Sequence, residues 1–517
     1  MKYKFFYVLF LLCFNGLFAQ GYQVTDFQKI DETNGDFNVI LDDEDWFGHA
    51  VEGIGDLNGD GINDIAVSAL QDDDGAFNIG AVYIMFLTAE NTVDHYQKIS
   101  ALDGGFTGNL EEWDYFGRSL SFLGDLNNDG YIELAVGAEY DGDGGYRHGA
   151  VWILSLEQDG TLFSHQKISD IEGNFEGILD VWDVFGSDVA NIGDLNGDGN
   201  TDIAVGARRD GDGGEERGAV WILFLNADFT VSSFQKISDT HGGFEADLEF
   251  KDYFWGAVSA IGDLNQDGIV DLAIGAYRDN DGGDNKGSVY ILFMNANGTV
   301  NHFQKISTTS GGGPDDLELD ALFGVSVDLA ADIDADGKIN LLVGCGNYGG
   351  ELRVGYFYIL NLNSDGTVEQ YMKYSEGIQG FDGVQIPGDY FGHSVSMLNG
   401  DPETMSILVG AFGDGEDVGI RTGSAWIIEL GGVLSIEEVS TSSLISIAPN
   451  PTKNTFSFNS VNGVSSVQLY DVQGRLLKDF KQILENTFNV SYMPVGHYII
   501  LVTDDQGTIS SFKLIKE

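Results

Sequence analysis

Short apolar runs separated by glycine-rich and aspartate-rich segments dominate the chain. Two representative runs, at 202–207 and 218–223, are each six residues long and are divided by a loop of acidic residues, glycines and arginines. Runs of this length, bounded by turn-forming residues, are typical of buried β-strands and are too short for ordinary helices. The pattern therefore predicts an all-β chain.

This pattern of runs returns six times. The repeats are marked by a phenylalanine, usually followed by glycine, at spacings of 69 residues and a last spacing of 68, namely at Phe47, Phe116, Phe185, Phe254, Phe323 and Phe391. Each unit contains four short predicted strands, and the fourth ends in Phe-Gln-Lys-Ile or a variant of it. Four strands in every repeat of about 40 to 70 residues are typical of a propeller blade. We therefore expect a β-propeller built from four-stranded blades.

The two ends of the repeat array complement each other. Residues 24–30 have a fourth-strand sequence with no blade before them, whereas the last unit stops after its third strand near Ile428. An N-terminal strand that completes the last blade would close a six-bladed ring over residues 20–432 and leave no exposed sheet edge. A solenoid is the structural alternative, and a seven-bladed ring would need a divergent blade that the sequence does not reveal.

Charge and composition exclude several classes of protein. The 517 residues include 82 acidic and 25 basic ones, which gives a formal net charge of −57. A chain so acidic does not bind nucleic acid or an anionic membrane through bulk electrostatics. It is also not a disordered acidic chain, because it contains 34 Phe and 21 Tyr.

The N-terminus predicts export. Lys2 and Lys4 precede an apolar run from residue 5 to 12, and Ala19 follows as a small residue. This arrangement is typical of a secretory signal peptide, residues 1–19, and the chain has no run of about 18 apolar residues that would span a membrane. A lipid anchor on Cys13 is the competing interpretation, but the bulky residues before it argue against such processing. Only Cys345 would remain in the mature chain, so no intramolecular disulfide is expected.

An acidic nonapeptide separates the first and second predicted strands in five of the six units. Its pattern is D-x-[DN]-x-D-G-x-x-[DEN], with candidate oxygen ligands at positions one, three, five, seven (the backbone carbonyl) and nine. The candidate metal-binding residues are Asp56, Asn58, Asp60, Ile62 and Asp64; Asp125, Asn127, Asp129, Tyr131 and Glu133; Asp194, Asn196, Asp198, Asn200 and Asp202; Asp263, Asn265, Asp267, Ile269 and Asp271; and Asp332, Asp334, Asp336, Lys338 and Asn340.

The ligand set of this nonapeptide suits Ca²⁺, which takes six to eight oxygen ligands in flexible geometry, better than Mg²⁺. An EF-hand is excluded, because Val67 stands where its bidentate glutamate would be and strands flank the loop. Ordinary Asp/Asn/Gly turns are the alternative for a single copy. Five copies in register, each with clustered carboxylates, favour about five structural calcium ions. Asn340 is neutral, which predicts a weaker fifth site, and the sixth unit has lost the spacing after Asn399.

Residues 22–432 resemble the FG-GAP repeats of the integrin alpha-chain β-propeller. The resemblance depends on the Phe-Gly pair, the nonapeptide and the following Ala-Val-Gly-Ala or its variants. It implies structural calcium in the five loops on one face of the ring and partners on the opposite face. This sequence departs from the family in having six blades where integrins usually have seven, a longer repeat, a degenerate sixth loop and Trp255, interpreted as an insertion.

The loops predicted for the opposite face are also acidic, with Asp-x-Asp-Gly sequences such as those at Asp141–Asp143 and Asp210–Asp212. They are interpreted either as solvated turns or as a cation-dependent contact surface for a glycan or a protein. No catalytic motif is present. His49 and His393 occupy one repeat position, which is interpreted as a tolerated structural position, and the sequence reveals no cluster of unlike His, Arg and carboxylate groups at the ring axis.

The end of the chain differs from the repeats. A linker at 433–445 leads to Pro-Asn-Pro and a small β unit at 446–517, described as β-sandwich-like. This unit resembles the type A C-terminal sorting domain of the type IX secretion system, and a fibronectin-like binding module is the alternative. The resemblance implies contact with the secretion machinery and export to the exterior of the outer membrane of a Gram-negative bacterium.

Together these features predict a secreted or cell-surface, calcium-stabilised propeller that acts as a non-catalytic adhesion or ligand-binding module. Its ligand would be an extracellular protein or glycan that the sequence does not identify. An extracellular enzyme acting on polysaccharide or another polymer and a structural surface-layer protein are the alternatives.

Overall fold

The computed structural model describes residues 22–517 with internal gaps. The residues outside the description are 1–21, 247, 250, 333–335, 347–353, 384, 401–404, 416–420, 432–445, 449, 460–463, 471–475, 481–486, 505–508 and 517. The predicted signal peptide, the predicted linker and most of the degenerate sixth loop therefore lie outside the described residues. The chain divides into two compact units, residues 1–432 and 433–517.

The first unit is all-β, as predicted, and its described residues form six four-stranded antiparallel sheets. The first three blades are β2 (Phe47–Gly55), β3 (Asp64–Ala69), β4 (Ala81–Leu87) and β5 (Val93–Ile99); β6 (Phe116–Gly124), β7 (Ile132–Ala138), β8 (Ala150–Leu156) and β9 (Leu162–Ser169); and β10 (Phe185–Gly193), β11 (Asp202–Ala207), β12 (Ala219–Leu225) and β13 (Val231–Ile237).

The remaining three blades include the N-terminal strand. They are β14 (Phe254–Gly262), β15 (Asp271–Ala276), β16 (Ser288–Met294) and β17 (Val300–Ile306); β18 (Phe323–Ala330), β19 (Asn340–Cys345), β20 (Tyr356–Leu362) and β21 (Val368–Tyr374); and β22 (Ser394–Asn399), β23 (Met405–Ala411) and β24 (Ser424–Gly431) with β1 (Gln23–Ile30).

The ring closes as the ends of the repeat array predict. Strand β1 pairs antiparallel with β24, with Gln28 opposite Ile427 and Ile30 opposite Ala425. The sixth blade also contacts the first, because the backbone N–H of Val51 donates to the Ser394 hydroxyl at 3.1 Å. Because β1 pairs with β24, the backbone groups along that edge of the last blade are not left unpaired.

The core lies between neighbouring blades. The second and third strands of most blades, such as β3 and β4, are buried along their whole length because sheets cover both of their faces. The outer strand β5 is buried at its two ends and more exposed in the middle. One core cluster, for example, joins Val82 and Ile84 of the first blade to Leu134 and Val136 of the second.

The Phe-Gly pair makes this close packing possible. The six phenylalanines are at most 1% exposed, and Gly48 adopts φ 80° with the backbone oxygen of Ser424 only 2.0 Å from where a Cβ would lie. Trp255 was interpreted as an insertion, and this interpretation is wrong. Strand β14 has nine residues like β2, and Phe254 pairs with Ala276 as Phe47 pairs with Ala69, so Trp255 replaces the glycine.

The second unit contains two small sheets. One is formed by β25 (Ser446–Ala448), β26 (Thr455–Asn459) and β29 (Thr487–Asn489), and the other by β28 (Leu476–Phe480), β27 (Val464–Tyr470), β30 (Gly496–Asp504) and β31 (Ile509–Lys516). Phe456 of the first sheet and Val467, Ile500 and Leu514 of the second share one core. Among the described residues there is no helix that is long and apolar enough to cross a membrane.

Candidate functional site

The nonapeptide loops all join the first strand of a blade to its second, so they lie at the same end of blades one to five. In the first loop, Asp56 accepts hydrogen bonds from the backbone N–H groups of Gly59, Asp60 and Gly61 at 2.8 to 2.9 Å. The left-handed φ of 93° at Gly61 makes this tight turn accessible. The carboxylate at the first position therefore stabilises the turn through backbone hydrogen bonds alone.

The same arrangement recurs in the other four loops. Each first-position carboxylate accepts from the N–H groups four and five residues later, in Asp125, Asp194, Asp263 and Asp332. In the first four loops the third residue, an asparagine, also donates from its side chain to the fifth-position carboxylate at 2.9 Å. The structure thus places positions one, three and five of these loops together on the exposed turn.

The ninth residue has a role that the sequence did not reveal. Asp64 is fully buried and accepts from the N–H of Leu57 at 3.0 Å and from that of Leu87 at 3.1 Å. Because Leu87 ends the third strand of the blade, this carboxylate fastens the loop to that strand. Asp202 and Asp271 make the equivalent pair of contacts, and Glu133 makes the first of them with Leu126.

The residues of the first four loops fit a calcium ion by donor chemistry, since every candidate donor is a carboxylate, amide or backbone oxygen. Burial raises the pKa of Asp64 to about 6, and the nearby charge of Asp60 adds to the rise. Asp202 and Asp271 have pKa values raised to about 6 for the same reasons. The ionised form of these three aspartates is therefore disfavoured in the loops without a cation. As the loops stand, however, no three acidic, histidine or cysteine side chains of the described residues converge to hold a metal.

The fifth loop fits a cation less well. The ammonium group of Lys338, at position seven, lies 3.6 Å from Asp336 Oδ2, and Asn361 donates to the same oxygen at 3.3 Å. Asn340 replaces the buried ninth carboxylate, and its Oδ1 is buried without a hydrogen-bond partner. Asp334 lies outside the described residues. The lysine supplies part of the positive charge that an ion would provide.

A lysine clamp binds the acidic loops at the opposite end of the blades. Lys167, from the fourth strand of the second blade, places its ammonium group 2.6 Å from both Asp141 and Asp143. Four further lysines pair with two aspartates each: Lys29 with Asp31 and Asp414, Lys98 with Asp72 and Asp74, Lys236 with Asp210 and Asp212, and Lys305 with Asp279 and Asp281. In the fifth blade Lys373 lies 3.4 Å from Asp316 alone.

The clamps change the interpretation of the acidic face. In the sequence these lysines are only markers of the fourth strand, because each of them lies more than 20 residues from at least one of the aspartates that it binds. With an ammonium group already between the two carboxylates, Asp143 and Asp212 do not need a metal ion to offset their charge. The geometry favours structural turns over a cation-dependent surface at these aspartates.

A further buried aspartate lies behind most clamps, two residues before the repeat phenylalanine. Asp114 is an example: it accepts from the N–H of Glu111 at 2.7 Å, and its pKa is raised to about 7 by burial and by the charge of Asp141. The pKa is similarly raised to about 7 in Asp45, Asp183 and Asp389 and to about 6 in Asp252. These groups are protonated more readily in the folded chain than in the unfolded chain.

The first strands of all six blades line a cavity of about 250 Å³ on the ring axis. Three half-buried carboxyl groups from different blades face it, and each accepts a hydrogen bond from a neighbouring blade. Glu52 accepts from the N–H of Phe122 and the hydroxyl of Ser396; Asp188 accepts from the N–H of Val258; Asp328 accepts from the N–H of Met397 and the hydroxyl of Ser259. The groups satisfy N–H donors on the inner strands.

Burial raises the pKa of all three carboxyl groups, to about 8 in Glu52 and about 7 in Asp188. His49 and His393 lie near the same axis with ring centroids 4.8 Å apart. Burial lowers the pKa of both imidazoles, with the nearby charge of Arg118 adding to the effect, and that of His393 falls to about 3. Both rings are therefore neutral at neutral pH.

An arginine pair completes the axial cluster. Glu139 Oε2 accepts from Arg208 Nε at 2.9 Å and lies 3.2 Å from Arg118 Nε, so one buried carboxylate holds both guanidinium groups. The expectation that no cluster of unlike His, Arg and carboxylate groups lies at the ring axis was therefore wrong. The residues come from five blades and lie up to 344 residues apart in sequence, so no local spacing reveals their convergence.

Comparison with known proteins identifies both parts of the chain. Residues 47–85, 116–154, 185–223 and 254–292 match the FG-GAP repeat. Residues 446–517 match the secretion system C-terminal sorting domain.

Similar curated proteins include integrin alpha chains. Integrin alpha-PS5 of Drosophila melanogaster is 33% identical over 164 residues, which cover 32% of this chain and 15% of that protein. Integrin alpha-3 of Cricetulus griseus is 32% identical over 238 residues, covering 46% of this chain and 20% of that protein. The chain thus spans a fifth or less of the length of these two relatives.

Proposed function

Since this chain is an FG-GAP repeat protein with a secretion system C-terminal sorting domain, we propose that it is an exported or cell-surface propeller that binds an extracellular ligand without catalysis and is stabilised by calcium. The sorting domain would engage the secretion machinery, with residues 1–19 as a signal peptide and residues 433–445 as a linker.

The observation that carries the calcium part of the proposal is the fivefold repetition of one loop at one end of the ring. In the first loop the side chains of Asp56, Asn58, Asp60 and Asp64 and the carbonyl of Ile62 would hold the ion, and the next three loops would do so through the equivalent residues. The ion would offset the charge of three carboxylates in each loop. We propose a weaker fifth site because Lys338 and Asn340 reduce the negative charge there.

Calcium removal tests this part of the proposal. An ion that binds only the folded chain stabilises it by RT ln(1 + [L]/Kd), which is about 4 kcal/mol when the ion is at a thousand times its Kd. We expect EGTA to lower the melting temperature of the full chain and elemental analysis to find about four tightly held calcium ions and a fifth that dialysis removes. An unchanged melting temperature with no bound calcium would leave the loops as turns only.

The binding part of the proposal concerns the face opposite these loops. It is supported by the similarity to integrin alpha chains and by exposed aromatic residues in that face, among them Tyr146 at 60% and Phe77 at 51% exposure. Binding of the calcium-loaded chain to extracellular polymers and surface proteins, compared with the heat-unfolded chain, is the direct test. A folded chain that binds no extracellular component would contradict it.

Catalysis on an extracellular polymer is the second candidate, because the axial cavity contains unlike titratable groups. The contacts argue against it: Glu52, Asp188 and Asp328 bind backbone or hydroxyl donors, and Glu139 holds both arginines. Incubation with polysaccharides and measurement of new reducing ends distinguishes the two functions. Product formation that disappears in Glu52→Gln, with the fold intact, would favour the enzyme.

A further inference from the structure

Two tryptophans break the repeat at a strained position. Trp113 and Trp182 lie 69 residues apart, and the equivalent residues in other blades are Glu44, Lys251 and Asp320. All five have a left-handed φ between 56° and 77°, which is unfavourable for a bulky side chain. The blade geometry does not require an aromatic residue here, because three blades do without one. Strain that the fold does not need is found at functional sites.

These tryptophans belong to a continuous aromatic run across the first three blades, in the loops opposite the nonapeptides. Phe77 and Trp113 have ring centroids 4.8 Å apart, and Tyr115 and Tyr140 also 4.8 Å apart. Contacts of 6.1, 5.9 and 5.5 Å connect the rest. In order of contact, the aromatic run consists of Phe77, Trp113, Tyr115, Tyr140, Trp182 and Tyr146.

Arg147 lies on this run. Its guanidinium carbon is 3.8 Å from the ring centroid of Tyr140 and 4.2 Å from that of Trp182. Within the described part of the chain it forms no ion pair with a carboxylate, which is unusual in a protein with 82 acidic residues. Its repeat equivalents are Asn78, Glu216 and Asn285, so the arginine also breaks the repeat.

The contact with the rings leaves the guanidinium able to bind an anion. A guanidinium over aromatic rings is held through its face, and its N–H groups can still pair with a carboxylate or sulfate. A second guanidinium, that of Arg209, lies 4.6 Å from Trp182, but it is paired with Glu216. Arg147 is therefore the cation of this surface that is available to a ligand.

We propose that the aromatic run and Arg147 bind an acidic polysaccharide, a chain of sugar rings that carry carboxylate or sulfate groups. Sugar rings present apolar C–H faces that pack on aromatic rings, and their acidic groups would pair with Arg147. This inference rests on the proposed ligand-binding function and names the class of its ligand.

The surroundings favour a narrow polymer over a protein partner. Glu111, Glu112, Asp180 and Glu215 are exposed near the run. A protein of standard interface size buries about 800 Å² on each side and would have to match this acidic rim. An extended polysaccharide contacts only the run and Arg147, so few of its acidic groups face the rim, and salt weakens the repulsion between charges that are more than about 8 Å apart at physiological ionic strength.

Binding of the full chain to two acidic polymers and to an uncharged polymer, which has the same backbone as dextran sulfate, tests the proposal. The probes are dextran sulfate and hyaluronate, with uncharged dextran as the control polymer, measured by isothermal titration calorimetry in 0.15 M salt with calcium. We expect the acidic polymers to bind at least about tenfold more tightly than dextran, a difference of about 1.4 kcal/mol. Trp182→Ala and Arg147→Gln should each weaken that binding by about tenfold or more.

Matched variants separate a binding role from a structural one. Glu44→Ala alters the repeat equivalent of Trp182 in the first blade and should leave binding unchanged. Trp182→Phe should retain most of the affinity, since it keeps an aromatic face, whereas Arg147→Lys should recover part of it, since it keeps the charge but not the planar group. All variants should melt within a few degrees of the parent chain.

Two results would overturn the inference: acidic polymers that bind no better than dextran, or equal binding by the parent chain, Trp182→Ala and Arg147→Gln. If the folded chain instead binds an extracellular protein, and these substitutions leave that binding intact, the proposed function stands and the polysaccharide site does not. If it binds neither polymers nor proteins, both proposals fall.

Discussion

At the scale of single residues, buried lysines and aspartates of this chain form ion pairs with each other. The clamp lysines illustrate this: Lys167 and Asp141 are 6% and 2% exposed, and their charged groups lie 2.6 Å apart. Such a pair adds little relative to apolar residues, but removal of one partner leaves an unpaired buried charge. The clamp therefore determines how the two loops lie at that end of the blade.

Lys167→Met should destabilise the propeller by about 3 to 5 kcal/mol, because Asp141 would stay buried without its cation. Chemical denaturation of the full chain measures this. Lys373→Met is the control, since Asp316 has a side chain 47% exposed, and its loss should be limited to about 1 kcal/mol. Equal losses in the two variants would contradict the clamp.

The buried carboxyl group of Asp114 should make the stability of the folded chain depend on pH. Burial and the charge of Asp141 raise its pKa from the usual 3.8 to about 7 in the folded chain, so the folded state holds more protons than the unfolded state between those pH values. Stability from this group is therefore fully present below about pH 4 and is lost as pH rises through 7. Asp114→Asn, a permanently neutral analogue, should raise the melting temperature at pH 8 and should raise it less at pH 5, where only part of that stability has been lost.

Asp159 provides the control of opposite sign. Hydrogen bonds from Thr161 lower the pKa of this exposed carboxyl group, so Asp159→Asn should lower the melting temperature at pH 8, or leave it unchanged, and should not raise it. A rise at pH 8 in both variants would indicate a general effect of net charge instead of a local effect at Asp114.

At the scale of elements, strand β1 is the piece that closes the ring. It supplies the fourth strand of the last blade, and Ile30 is completely buried against that blade. Without it, β24 would present unpaired N–H and C=O groups along a sheet edge, which favours pairing with other chains. The N-terminal strand therefore protects the molecule from association as well as stabilising it.

Deletion of residues 22–30 should lower the melting temperature by more than about 5 °C and cause concentration-dependent association, both of which light scattering during a thermal scan would reveal. A synthetic peptide of residues 22–30 added in excess should restore part of the loss, while a peptide of the same composition in shuffled order should not. A monomeric deletion variant with the parent melting temperature would contradict this role.

At the scale of the whole molecule, the nonapeptide loops at one end and the lysine clamps at the other hold the first four blades at both ends of their strands. Blades share their cores with their neighbours, as Val82 does with Leu134, so we expect the ring to unfold as a unit. Disruption of one nonapeptide loop should therefore lower the stability of all six blades together.

Asp194→Ala should remove about one calcium ion per chain and lower the melting temperature of the propeller, while its transition remains single. Calorimetry with elemental analysis measures both quantities. Asp332→Ala changes the loop in which Lys338 already lies near Asp336. It should lower the melting temperature by less than Asp194→Ala does. A larger effect at Asp332 than at Asp194 would contradict the ranking of the sites.

The sequence by itself determined the repeat, the all-β class, the four-stranded blades and the N-terminal closure, because these depend on periodic burial and local turns. It also located the nonapeptides, whose candidate ligands lie within nine residues of one another. Only the tertiary structure decided which groups meet across blades: the lysine clamps, Arg118 with Arg208 on Glu139, and Arg147 on the aromatic run. Those contacts join residues from separate strands and blades, and their partners depend on how the sheets pack around the axis, which no local spacing encodes.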